Sequence, residues 1–217
     1  MEFTVWSVFA RTESLKYDEH IAAQDLKRWR DGVGLMGVNV RGFYDVSGMR
    51  EEADLLLWMH GPTMQGLQES LRAFRRTAAG ESVELVWSAM GRLDPNETAR
   101  GHVQGFAAGD APRPWISVSP CERSEEWYSL TPDGRREMLA DRAGVLRHHA
   151  NVLVTMVPAF ALTDYEWLQA LESDRVGDLI DLTRALRTSV SGVHIRDEPP
   201  YYTGRRLDFT DVIDVLR

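Results

Sequence analysis

The sequence contains a single cysteine, Cys121, so no disulfide can form within the chain. Disulfide frameworks belong to oxidising compartments, and a chain without one is expected in the reducing cytoplasm. No apolar run approaches the roughly 18 to 20 residues that a membrane-spanning helix needs, and the first residues lack the layout of a signal peptide. We therefore expect a cytoplasmic protein that does not bind a membrane.

Basic clusters and short cofactor motifs are missing as well. The formal net charge is −8, and the lysines and arginines are dispersed, which argues against a nucleic-acid footprint and a polybasic membrane patch. The sequence lacks the common zinc, Walker and dinucleotide-binding motifs, so no cofactor is expected from them. What remains is an ordinary globular composition, 43% apolar and 27% charged, over 217 residues.

The periodicity of apolar residues repeats one order of elements. The first half predicts strand, helix, strand, strand, helix and strand, over residues 3–10, 20–33, 38–46, 53–61, 62–76 and 83–90. The second half predicts the same order, over residues 115–123, 132–149, 152–162, 165–172, 174–188 and 193–198. Each half is β-α-β-β-α-β, which is the ferredoxin-like unit.

These units predict an α+β fold class with duplicated ferredoxin-like halves, residues 1–93 and 115–217, joined by an inter-half loop over residues 94–114. A sheet with helices on one face leaves its other face to be covered. Two units in one chain can cover each other, sheet to sheet. We therefore expect a dimeric α+β barrel within one chain, with a pocket in the second half between sheet and helices.

Several longer segments carry a resemblance to a known family. They are RGFYDVSGMREEADLLLWMHG (41–61), RSEEWY (123–128), the helix start PDGRREMLAD, MVPAFALTDYEW (156–167) and PPYYTGRR (199–206). They resemble the actinobacterial coproheme decarboxylases of the chlorite dismutase superfamily, over essentially the whole chain from Phe3 onward. The resemblance implies a homopentamer whose second-half pocket holds an iron porphyrin. With hydrogen peroxide, family enzymes decarboxylate two propionates there to make haem.

The resemblance also implies roles for particular residues. His102, in GHVQGF, matches the distal histidine that serves as base for peroxide, and Arg123 matches an arginine that faces a propionate. Trp127 and Arg206 match a neighbouring tryptophan and a second arginine. The reactive positions depart from the pattern.

Arg142 stands where the family has the histidine that binds iron. A guanidinium stays protonated and offers no lone pair, so it cannot be an iron ligand. Arg142 is either a solvated helix residue, paired with Asp141 or Glu137, or it points into the former iron site and binds an anion bidentately. The register of the match favours the second alternative.

Ser119 stands where the family has the tyrosine that forms a radical. An aliphatic hydroxyl is much harder to oxidise than a phenol, so Ser119 cannot replace it in that role. A nucleophilic role needs an adjacent base and oxyanion donors, and no G-x-S-x-G motif surrounds it. Strand geometry predicts that Ser119, Cys121 and Arg123 share one face. Cys121 is then either a thiol activated by Arg123 or, as we favour, a small buried apolar residue.

The adjacent residues His148 and His149 offer the alternative iron ligands. His149 lies seven residues after Arg142, which places it about 10 Å farther along a helix. We favour the interpretation that both imidazoles end the helix beside its exposed carbonyls. His102 titrates near neutrality and suits acid–base work, or it is an exposed loop histidine.

The sequence therefore predicts a chlorite dismutase-like protein that has lost coproheme decarboxylation. Its second-half pocket would bind a small anionic or polar molecule, as a haem-independent enzyme of specialised metabolism. The candidate ligand-binding residues are Cys121, Arg123, Trp127, Arg142 and Arg206, and the candidate catalytic residues are His102 and Ser119. One alternative is a peroxide-dependent oxidoreductase that binds haem or coproheme through His148 or His149. Another is a non-catalytic binding or scaffold subunit.

Overall fold

The computed structural model describes residues 2–93, 106, 109–197 and 199–217. The chain divides into two compact units. The first contains residues 2–93 together with Tyr202–Arg217, and the second contains the described residues between 106 and 201. Each unit contains its own set of antiparallel strands.

The first unit begins with the predicted repeat. Its elements are β1 (Glu2–Arg11), α1 (Glu19–Leu35), β2 (Asn39–Asp45), β3 (Leu55–Gly61), α2 (Met64–Phe74) and β4 (Val83–Leu93). The strand order is β4-β1-β3-β2. The Asp18 carboxylate accepts the backbone N–H groups of His20 and Ile21 and so caps α1. The buried face of α1, with Leu26, Trp29 and Val33, joins the hydrophobic core of this unit.

The second unit repeats the same order with one added short helix. Its elements are β5 (Trp115–Arg123), α3 (Glu125–Ser129), α4 (Pro132–His148), β6 (Leu153–Pro158), β7 (Trp167–Ser173), α5 (Val176–Thr188), a 3-10 turn (Val190–His194) and β8 (Ile195–Asp197). The strand order β8-β5-β7-β6 repeats that of β4-β1-β3-β2 in the first unit, position by position. The predicted α+β class and its two ferredoxin-like units are confirmed.

The C-terminal segment differs from the prediction, which assigned residues 115–217 to the second half. Strand β9 (Tyr202–Leu207) pairs with β2, with Leu207 opposite Phe43, and is followed by α6 (Phe209–Val215). Val212, Ile213 and Leu216 are buried in the core of the first unit. The segment therefore belongs to the first unit, because its apolar residues complete that core.

The strand predicted over residues 152–162 is shorter in the structure. Strand β6 ends at Pro158, and the chain then turns, with the backbone N–H of Leu162 donating to the Ala159 carbonyl. Ala161 has a φ of 61°, in the left-handed region that ends a strand. An apolar run alone did not reveal this turn.

The longest helices of the described chain are α1 and α4, with 17 residues each. Among the described residues, no helix combines the length and the apolar character needed to cross a membrane.

Candidate functional site

A polar row crosses the sheet of the second unit. Ser119 of β5 lies opposite Gln169 of β7, and Gln169 lies opposite Met156 of β6. Residues two positions apart share a face of a strand, and Leu171 and Val154, next on that face, belong to the core formed with α4 and α5. The row therefore faces the two helices.

Arg142 extends from α4 to this row. The helix begins after Thr131, whose hydroxyl accepts the N–H of Gly134, and carries Pro132 in its first turn. Arg142 is only 6% exposed. Its Nη2 donates to Gln169 Oε1 at 2.7 Å and lies 4.0 Å from Met156 Sδ. Of the two alternatives for Arg142, the solvated one is wrong: the side chain points into the unit.

The space beside Arg142 on the α5 side is small. A cavity of about 20 Å³ is lined by Arg142, Gln169, Thr183, Leu186, Arg187, Gly192 and Ile195. That volume holds about one water molecule. On this side, therefore, no organic ligand fits between the guanidinium and α5.

Arg123, at the end of β5, lies between two tryptophans. Its guanidinium carbon is 4.1 Å from the ring centroid of Trp127 and 5.8 Å from that of Trp167. Trp127 is held there by α3, whose N-cap Ser124 accepts the Trp127 backbone N–H. The Nε of Arg123 is buried without a hydrogen-bond partner. Burial, and then the nearby charge of Arg142, lower the pKa of Arg123 to about 10. Two guanidinium groups thus lie close enough to repel each other.

Glu166, just before β7, links the strand end to α3. Its Oε2 accepts the backbone N–H of Arg123 at 3.1 Å and the hydroxyl of Tyr128 at 2.7 Å. Burial, and then the bond to Glu166, raise the pKa of Tyr128 to about 12. This carboxylate therefore orients both the arginine strand and the tyrosine.

The other predicted residues occupy separate positions. Cys121 is 1% exposed on β5, opposite Trp167. Helix α4 ends at His148, whose Nδ1 donates to the Gly144 carbonyl at 2.8 Å, and His149 is its C-cap residue. Arg206 lies on β9, in the first unit. His102 lies outside the described residues.

The comparisons with known proteins agree on one family. The family model for chlorite dismutase matches residues 11–207. The chain belongs to the chlorite dismutase family. A coproheme decarboxylase from Mycolicibacterium smegmatis is 40% identical over 196 residues, which are 90% of this chain and 83% of that protein.

Solved members of the chlorite dismutase family share the fold of this chain. A mutant chlorite dismutase from Candidatus Nitrospira defluvii matches with a TM-score of 0.85 at 18% identity, covering 99% of this chain and 95% of that one. The chlorite dismutase from the same organism in complex with imidazole matches with a TM-score of 0.84 at 18% identity, covering 100% and 95%.

Sequence reasoning missed Gln169, Glu166 and Tyr128 as members of this site. Gln169 was detectable, because it is the polar residue inside the otherwise apolar run Leu168–Leu171. Glu166 and Tyr128 carried no such signal, since their meeting depends on tertiary structure. Within the described residues, no group of three or more histidine, cysteine or acidic side chains is arranged to hold a metal ion.

We expect the Arg142–Gln169 bond to appear as a coupling energy in urea unfolding. Gln169→Leu should lower the free energy of unfolding by about 1.5–3 kcal/mol, because a buried charged donor loses this acceptor. In an Arg142→Met background the same substitution should cost at least about 0.5 kcal/mol less. Gln68→Leu, at an exposed position of α2, is the control. Equal costs in both backgrounds would contradict the bond.

Tyr128 should ionise late in an alkaline titration followed by phenolate absorbance. The difference between the wild type and Tyr128→Phe should show a midpoint near pH 12. Because the folded pKa is raised above the usual value near 10, the hydrogen bond stabilises the fold fully below about pH 10 and is lost as the pH rises toward 12. Tyr165→Phe is the control for the loss of one tyrosine at another position. A Tyr128 midpoint near pH 10 would refute the pairing with Glu166.

Proposed function

We propose that this member of the chlorite dismutase family binds a small anion in its second unit and does not decarboxylate coproheme on an iron held at position 142. One observation carries the proposal: Arg142 is buried, and its guanidinium is bound to Gln169 on the sheet. By resemblance, position 142 is where the family places the histidine that binds iron.

The residues around position 142 do not fit an iron porphyrin bound in the family's manner. Haem iron in proteins takes imidazole, thiolate, thioether or phenolate ligands, and a guanidinium supplies no lone pair. The relative from Mycolicibacterium smegmatis is a coproheme decarboxylase by name. In this chain, Ser119 replaces the tyrosine that the resemblance places on β5, so two reactive positions differ together.

The charges of the second unit favour an anion instead. Burial, and then the charge of Arg142, lower the pKa of Arg123, so the positive charge of a second guanidinium acts on Arg123. A carboxylate beside Arg123 would accept from its buried Nε, which has no hydrogen-bond partner, and would offset the repulsion between the two guanidinium groups. The rings of Trp127 and Trp167 would exclude water from that contact.

Ser119 and Cys121 share the strand face of Arg123 and are the residues placed to contact such a ligand. Ser119 is 3% exposed and lies opposite Gln169. We propose Ser119 and His102 as the candidate catalytic residues if the bound anion is a substrate of specialised metabolism. By resemblance we also propose a homopentamer, with a cytoplasmic location.

Titration with haem and with coproheme tests the loss of iron chemistry. We expect no sharp, red-shifted Soret band from the wild type, because position 142 has no iron ligand. Arg142→His should gain that band, since it restores the imidazole.

The matched control is Arg136→His, at an exposed position of the same helix. A sharp band in the wild type that disappears in His148→Ala/His149→Ala would instead establish a haem protein with substitute ligands. A Soret band that survives both substitutions would show that a different residue binds the haem iron. Either result would refute the proposal.

Thermal unfolding with acetate, at constant ionic strength, tests the anion site. At ten times its dissociation constant the anion should add about 1.4 kcal/mol of stability by mass action, which raises the Tm by roughly 3–6 °C for a chain of this size. Acetamide, the neutral molecule of the same shape, should have no effect. Arg123→Gln should abolish the acetate shift, whereas Arg136→Gln should retain it. If acetate and acetamide act alike, or if Arg123→Gln responds like the wild type, the site is not as proposed.

A further inference from the structure

A second cavity lies entirely within the first unit. It has a volume of about 500 Å³ and is bounded by α1, β2, the end of β9 and the start of α6. Its volume falls within the range of small-molecule sites in proteins. None of its walls belongs to the second unit, so the cavity is separate from the anion site proposed above.

Helix α1 presents two different faces. Leu26, Trp29 and Val33 are buried in the core, whereas His20, Gln24 and Lys27 line the cavity. The lining residues follow each other at spacings of four and three, so they form one stripe along the helix. The imidazole of His20 is hydrogen-bonded to the amide of Gln24, with 2.7 Å between the nitrogens, which orders this wall.

The floor of the cavity is apolar. Val40 and Phe43 of β2, Leu207 of β9 and Phe209 of α6 contribute to it. The Phe43 and Phe209 rings meet edge to face, with centroids 6.1 Å apart. An aromatic or otherwise flat apolar body is the ligand shape that such a floor stabilises.

Cations line the rim in a chain whose net charge is −8. Arg30 is already neutralised by Asp31, at 2.7 Å, and lies over Phe209. Lys27 and Arg206 line the same cavity, and neither forms an ion pair within the described chain. Asp208 contributes one negative charge to the lining. The lining therefore carries one more positive than negative charge, which favours a ligand with a single negative charge.

Gly42 determines the position of Arg206. A Cβ added at Gly42 would lie 3.2 Å from Arg206 Nε, so the side chain of Arg206 passes directly over the bare backbone of β2. The strand is irregular at this point, with a register shift between Val40 and Gly42. The guanidinium therefore lies at the cavity wall although the residue is exposed.

We propose that this cavity binds an aromatic monocarboxylate. The ring would pack on Phe43, Leu207 and Phe209, and the carboxylate would bind Lys27 and Arg206. The apolar floor excludes strongly hydrated anions, and Asp208 disfavours polyanions. Lys27 and Arg206 select an acid over its neutral analogues.

Ligand-observed fluorine NMR tests the proposal, with 4-(trifluoromethyl)benzoate as the probe and 4-(trifluoromethyl)benzyl alcohol as its neutral analogue. Lys27→Gln and Arg206→Gln should each weaken benzoate binding by about tenfold or more, as expected for loss of a charged hydrogen bond. Arg28→Gln and Arg205→Gln, exposed neighbours outside the cavity lining, are the matched controls and should bind as the wild type does. All four positions are exposed, so the variants should fold.

Arg123→Gln separates this site from the one in the second unit. The proposal expects benzoate binding to survive Arg123→Gln and to weaken with Lys27→Gln and Arg206→Gln. Binding that is lost in Arg123→Gln but retained in the other two would place the probe in the second unit and overturn the proposal. Equal affinity for the alcohol, or no binding of the benzoate, would also overturn it.

Discussion

The second unit depends on the bond between the Arg142 guanidinium and the Gln169 side chain. It joins α4 to the middle of the sheet at 2.7 Å, in an interior where an unpaired charge would be costly. Burial, and then the charge of Arg142, lower the pKa of Arg123, which lies among tryptophan rings at the end of β5. One charged residue on a helix therefore contacts the sheet and also acts on the ionisation of a second arginine in the same unit.

The repeated strands and helices of the two units were predictable from their apolar periods, and α1, α2 and α4 begin at recognisable caps, whereas α5 does not and the short helix α3 was not predicted. The strand over residues 115–123 was predicted with the bounds that β5 has. The C-terminal segment was not predictable by the same reasoning. Its destination is decided by pairing of Leu207 with Phe43 and by burial of Ile213, and such long-range contacts leave no local pattern.

The candidate site was only partly predictable, because strand periodicity is a local pattern whereas cross-strand pairing is not. Strand periodicity placed Ser119, Cys121 and Arg123 on one face, and the match to the family directed Arg142 inward. The partners of these residues were not foreseen, because Gln169 and Glu166 meet them only through cross-strand register and a loop. The family resemblance indicated which positions form the site. The residue types found at those positions determine what chemistry the site can perform.

The return of β9 and α6 to the first unit has a consequence for biosynthesis. Arg206, Leu207 and Phe209, which form part of the wall of the larger cavity, follow the whole second unit in the sequence. The first unit can therefore begin to collapse early in translation, but its cavity cannot exist until the second unit has been synthesised.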